Sequence, residues 1–146
     1  MPATLAERLT HAIIATHGKL YERTDGRVGH NLLGVPCLLL RTVGAKSGVA
    51  RTNSLTYALD GAAYVVVASM GGAPKNPGWY HNLRANPQVV AQVGTNRVPV
   101  AARVVMPGDA DYARLWQLVN DNNKQRYAAY QRLTSRPIPV VVLDPS

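Results

Sequence analysis

In Thr52-Asn-Ser-Leu-Thr-Tyr-Ala-Leu-Asp-Gly-Ala-Ala-Tyr-Val-Val-Val-Ala-Ser69, two runs rich in β-branched and apolar residues meet across Asp60-Gly61. An Asp-Gly pair between such runs is a strong short-range hairpin signal, because glycine reaches the positive φ that tight hairpin turns require. Thr52 to Leu59 and Ala62 to Ser69 are therefore expected to be antiparallel neighbours, with Val65-Val66-Val67 in central sheet. Outward from this pair, Gln88 to Val93 and Arg97 to Met106 flank Gly94-Thr-Asn96 and read as a second hairpin. Val35 to Thr42 and Ile138 to Leu143 are short apolar runs bounded by turn residues and read as buried strands. About six mostly antiparallel strands imply an α+β, mainly β, unit: a small barrel or curled sheet, not a doubly wound parallel fold.

Helices fill the gaps. Leu5, Leu9, Ala12, Ile13, Thr16 and Leu20 recur at helical spacing, so residues 3–20 should form a helix that packs this apolar face on the core. Its basic flank also suits a membrane surface. A short helix should start near Pro77 and end at Asn86-Pro87. Asp109 is the expected cap of a helix carrying Tyr112, Leu115, Trp116 and Val119 on one face, continued or followed by a helical segment through Leu133, with Pro137 and Pro139 stopping it. The chain is then one domain, with residues 1–30 as helix and linker and residues 31–146 as the sheet-bearing unit.

The 146 residues carry Lys+Arg 16 against Asp+Glu 8, a formal charge of +8. Between Gly26 and Gly108 the only acid is Asp60, whereas Arg27, Arg41, Lys46, Arg51, Lys75, Arg84, Arg97 and Arg103 all fall there. Paired-carboxylate hydrolysis and hard-cation sites need converging acids, so that stretch excludes them and favours an anionic ligand or a solvated basic face. No basic recognition helix or aromatic stacking motif points to nucleic acid. Cys37, the single cysteine, sits in an apolar run where a thiolate is disfavoured, and it fits a reducing compartment. His11, His17, His30 and His81 lack metal-ligand spacing. With no span of about 20 apolar residues and no leader pattern, a cytoplasmic location is expected, extending to peripheral contact at the inner membrane face.

Two loops can hold an anion. Gly44-Ala-Lys46-Ser47 is not a nucleotide P-loop, since Ala45 breaks the required Gly-Lys-Ser. Lys46-Ser47-Gly48 with Arg51-Thr52-Asn53 nevertheless brings two cations and small polar residues to one turn. In Lys75-Asn-Pro-Gly-Trp-Tyr-His-Asn82, a proline opening a helix leaves the amides of Gly78 and Trp79 free for an anion. Tyr127 and Tyr130, three apart with Lys124 one turn earlier, could roof an aromatic ligand or simply pack.

On Thr42-Val-Gly-Ala-Lys-Ser-Gly48 with Arg51, Asp60-Gly61, the stretch from Ala68 to Pro87 and Arg136-Pro-Ile-Pro-Val-Val-Val142, the chain resembles the deazaflavin-dependent nitroreductases, of the flavin/deazaflavin oxidoreductase split β-barrel superfamily. The resemblance implies a split β-barrel that binds reduced coenzyme F420, whose phosphate and oligoglutamate tail carries several negative charges, and passes a hydride to a quinone, nitroaromatic or enone. FMN in the same barrel, or a non-catalytic carrier of deazaflavin or another hydrophobic ligand, are the alternatives, and a monomer or homodimer is expected. Carried over residue by residue, the tail-binding cations fall on Lys46 and Arg51 and the ring-cradling strand on Val67, Ala68, Ser69 and Met70; Ser47, Gly48, Asn53, Leu55, Thr56 and Lys75 are further expected cofactor contacts. Helix-terminus contacts fall on Gly78, Trp79 and Asn82. Ser69, Tyr127 and Tyr130 are the candidate catalytic residues, Tyr127 also touching the cofactor. Ala45, Met70, Ser54, Thr56 and Lys124 depart from residues common in the family, which bears on the acceptor more than on the cofactor.

Overall fold

The computed structural model describes residues 5–29, 31–32 and 35–145. Ala3, where the first helix is expected to begin, and His30 lie outside them. In chain order the elements are α1 (Leu5–Arg23), β1 (Asn31–Leu32), β2 (Val35–Val43), β3 (Ala50–Thr56), β4 (Ala58–Asp60) and β5 (Ala63–Val67). A 3-10 turn (Met70–Gly72), α2 (Gly78–Ala85), β6 (Gln88–Val93), β7 (Asn96–Val105), α3 (Tyr112–Asn122), α4 (Arg126–Gln131) and β8 (Val140–Pro145) follow.

All strand pairs are antiparallel, and the ladder runs β2-β6-β7-β8-β5-β4, with β1 and β3 also on β2. β3 and β4 are one strand bent at Tyr57: Thr56 lies opposite Cys37 of β2, and Ala58 opposite Val65 of β5. That bend closes the sheet into a barrel. The eight strand segments exceed the six expected because β1 has two residues and the bend divides one expected strand in two. At the bend the Tyr57 amide still bonds the Pro36 carbonyl at 3.1 Å, and Asn122 Nδ2 satisfies the Tyr57 carbonyl at 2.8 Å. The second expected hairpin forms, Val93 facing Asn96 around Gly94 (φ 56°), whereas the first forms only at its turn, Ala58–Asp60 facing Ala63–Val65 around Gly61 (φ 61°), because residues 52–56 pair with β2 and not with β5.

Val65-Val66-Val67 reads as an unbroken apolar run because both faces of β5 are covered. Val66 and Ala68 join Leu38, Leu40, Val141 and Leu143 in one cluster, plugged by Trp79, Tyr80 and Leu83 of α2. Val65 and Val67 join Val140, Val142 and Ile138 in a second cluster under Leu115 and Val119 of α3 and Tyr127 of α4. Burying both sides makes register costly to shift, since a slip of one residue would exchange the two cores.

Two expectations about helices need correction, and a third, left open, is resolved. The apolar stripe of α1 does not pack: Leu5, Leu9, Ile13 and Leu20 are exposed. Its contact face is instead His17, Gly18 and Tyr21, because polar bonds at the helix's end fix its orientation. Buried Tyr21 donates to the Cys37 carbonyl at 3.0 Å and accepts from the Gly94 amide at 2.9 Å. Asp109 is not the helix cap; Asp111 holds that position, while an Asp109 carboxylate oxygen accepts from the Met106 amide at 2.7 Å and closes the preceding turn. Of the two readings of the stretch to Leu133, a second helical segment follows α3 and the helix does not continue: the chain breaks at Lys124 and Gln125, both left-handed (φ 56° and 62°), before α4. Asn120 organises the break, donating to the Trp116 carbonyl at 2.8 Å and accepting from the Ala128 amide at 2.7 Å.

Candidate active site

A cavity of about 1160 Å³ opens between the loop after β2, the bent β3, the segment after β5, the start of α2 and the α3–α4 junction, with Ile14 of α1 at one side. The two anion-binding loops face it together. Asn82 of α2 ties them: its Oδ1 accepts from the Ala45 amide at 3.0 Å, and its Nδ2 donates to Thr42 Oγ1 at 3.1 Å. Pro77 precedes α2 in extended conformation and offers no side-chain cap, so the Gly78 and Trp79 amides have no capping side chain and their residues line the cavity, while the Tyr80 amide turns back to the Pro77 carbonyl.

Lys46, Ser47, Arg51, Asn53, Leu55, Thr56, Val67, Ser69, Met70, Gly78, Trp79, Asn82, Tyr127 and Tyr130 all line this space. Three of the expected residues do not. Ala68 is fully buried in the barrel core because strand alternation turns it inward between Val67 and Ser69. Gly48 holds a left-handed turn (φ 70°) behind Ser47, and Lys75 is exposed outside the lining. Arg126, Asn123 and His81 line the cavity without having been singled out. Asn123 and Arg126 reach it only because the chain breaks between α3 and α4; the Asn120-Asp-Asn-Asn123 run, rich in residues that disfavour helix interiors, was the available signal.

The wall is electrostatically one-sided. No Asp or Glu lines it, while Lys46, Arg51 and Arg126 do. Four arginines elsewhere find acids: Arg41 and Arg97 meet Asp25, Arg103 meets Asp111 and Asp144, and Arg114 meets Asp60. Among the described residues, the three lining cations have no such partner.

Within the same lining, Tyr127 Oη lies 2.6 Å from Thr56 Oγ1, and Asn123 also bonds the phenol. Arg126 Nη1 donates to Asn123 Oδ1 at 3.3 Å. Burial raises the pKa of Tyr127 against the opposing bonds from Thr56 and Asn123, so it stays a neutral hydroxyl. Tyr127 and Tyr130 meet edge to face, ring centroids 6.3 Å apart, instead of stacking.

Comparison with known proteins gives the family and the fold. The family model for F420H(2)-dependent quinone reductase matches residues 13–145. An F420H(2)-dependent quinone reductase of Mycobacterium tuberculosis is 58% identical over 132 residues, 90% of this chain and 89% of that protein. Among solved structures, an F420-H2 dependent reductase superposes with TM-score 0.67 at 38% identity, covering 75% of this chain and 94% of that one. A second, described as a domain-swapped dimer, gives TM-score 0.68 at 35% identity over 86% of this chain and 95% of that one. A match along nearly the whole chain, joined to a closed antiparallel barrel with a cation-lined cavity, places this protein in the F420H(2)-dependent quinone reductase family.

Proposed function

We propose that this chain transfers a hydride from reduced coenzyme F420 to a quinone, holding the coenzyme's anionic tail on Lys46, Arg51 and the start of α2 and its ring beside residues 67–70. One observation carries the reading: three cations and the uncapped start of α2 line a cavity whose lining holds no carboxylate. A polyanion fits that wall, and its charge supplies the partner the lining cations lack. The bound coenzyme supplies the hydride. The chain's own work is to fix the donor against the acceptor, exclude water and offer hydrogen bonds where negative charge gathers. Ser69, 8% exposed, and neutral Tyr127 are placed to donate such bonds.

Replacing Lys46 or Arg51 with Ala is expected to weaken coenzyme binding by about tenfold for each lost charge-assisted contact, and by less as salt rises. Equal affinity in variant and parent would remove the tail from this loop. Titration of FMN alongside gives the selectivity, and steady oxidation of the reduced coenzyme by menadione separates an enzyme from a carrier. Nitroaromatic acceptors extend the same reaction and are tested by substituting one for menadione. No helix among the described residues is long and apolar enough to cross a membrane. The exposed Leu5, Leu9 and Ile13 of α1 support peripheral membrane contact, which co-sedimentation with anionic vesicles tests.

A further inference from the structure

Arg136, just ahead of β8, reaches back to the segment after β5 and bonds it four times. Nε donates to the Ala73 carbonyl at 2.8 Å, Nη1 to the Ala68 carbonyl at 3.2 Å and to Asn76 Oδ1 at 2.8 Å, and Nη2 to the Ser69 carbonyl at 2.8 Å. The guanidinium is half-buried, and among the described residues it makes no ion pair. Removal from water lowers its pKa, Tyr80 opposing. A charge held only by neutral oxygens is costly to keep when its sole task is packing.

Those bonds aim the backbone. The described chain contains no cis peptide, so each carbonyl points opposite to the amide that follows it. With the Ala68 and Ser69 carbonyls turned to Arg136, the Ser69 and Met70 amides turn the other way, and among the described residues neither has an acceptor. Ser69 and Met70 line the cavity; Arg136 does not. Ser69 is right-handed (φ −81°, ψ −38°) and Met70 left-handed (φ 46°), the alternation that points successive amides into one concavity and makes a nest for negative charge. A methionine resists that φ unless its surroundings impose it, and the Arg136 bonds do so.

We propose that Arg136 is a positioning residue: it sets the Ser69–Met70 amide nest, and the nest with the charge behind it makes the cavity prefer the reduced deazaflavin to the oxidised one. The inference rests on the reading that residues 67–70 face the coenzyme's ring. Reduction adds a hydride to a ring carbon, so the ring gains two electrons with one hydrogen nucleus and carries one more negative charge until a ring nitrogen takes a proton from solvent; fixed donors backed by an uncompensated cation favour that electron-rich form. The preference would load the protein with the reductant and release it once spent.

The test is the ratio of dissociation constants for oxidised and reduced coenzyme F420, measured by titration without an acceptor, on four proteins. In the parent, reduced coenzyme binds tighter. Arg136→Lys keeps the charge but replaces a fork by a point donor; it should lose about tenfold for the reduced form, less for the oxidised, moving the ratio toward one. Asn76→Asp keeps the geometry and neutralises the charge, so its ratio should fall with thermal stability retained, which preserves the test if the lysine variant does not fold. Lys46→Ala should weaken both forms alike, because the tail is the same in each. Faster deuterium exchange at residues 69–71 of ligand-free Arg136→Lys would support the positioning role. A ratio near one in the parent, or unchanged in both Arg136→Lys and Asn76→Asp, overturns it while leaving the cofactor assignment standing. Failure of the parent to bind either form overturns the cofactor assignment and this inference together.

Discussion

Tyr127 sits 2.6 Å from Thr56 in the cavity lining, and in the proposed function its hydroxyl is a hydrogen-bond donor toward the acceptor. Replacing it by Phe keeps the ring and removes that donor. The expected outcome is a kcat with menadione lower by about tenfold, a stability loss of about 1 kcal/mol and unchanged coenzyme affinity. Because burial raises its pKa above the usual value near 10, the pH–rate profile should show no tyrosine ionisation below about pH 10. A basic limb near pH 8 that vanishes in Tyr127→Phe would contradict the neutral-donor role. Both tyrosines could be picked out from a spacing of three, which places side chains on one helical face whatever surrounds them. Asn123 and Arg126 could not, because their direction depends on two consecutive left-handed residues, Lys124 and Gln125, that no periodicity encodes.

Among the elements, α1 departs furthest from its expected packing, and its anchor explains how it is held. Asp25, just past the helix, receives Arg97 at 2.9 Å and Arg41 at 3.3 Å, while buried Gln92 donates to the Asp25 carbonyl at 2.9 Å. Gly26 completes the anchor: its φ is 84°, and a Cβ there would lie 1.7 Å from the Gly94 carbonyl oxygen, so any other residue would push α1 off the barrel. The Arg97 bond, then those from Gln92 and the arginine charges, holds the Asp25 carboxyl below its usual range. A depressed folded-state pKa gives stability that is complete above the unfolded value, about 3.9, and lost as pH falls through the folded one. Acid titration should therefore loosen α1 below about pH 4, seen as rising proteolysis within residues 5–23. Asp25→Asn should shift that loosening to neutral pH; equal proteolysis of the two proteins would refute the anchor. The hairpin turns were legible because an Asp-Gly turn and alternating residues act locally, whereas α1's orientation comes from one tyrosine hydroxyl and one carboxylate meeting groups some seventy residues away.

The whole molecule is a barrel closed by a single strand bent at Tyr57, with buried faces on both sides of β5 and β8. Several tyrosines stitch it. Burial raises the pKa of Tyr21, Tyr57 and Tyr127, and pushes Tyr112, whose hydroxyl donates to the Ile138 carbonyl at 2.7 Å, up to about 12. A raised tyrosine gives stability that is complete below the unfolded value near 10 and lost as pH rises through the folded one. Denaturant midpoints should hardly change from pH 7 to 9 and then fall steeply between about 10 and 12, with Tyr112→Phe flattening the fall. The account's centre is the cation-lined cradle, tested most directly by comparing coenzyme F420 with the same deazaflavin stripped of its phosphate and glutamate tail. On the parent protein, loss of the tail should cost at least about a hundredfold in affinity, and on the Lys46→Ala/Arg51→Ala double variant only a few fold. The same loss on both proteins would mean that the tail binds elsewhere and that the acid-free wall serves some other end.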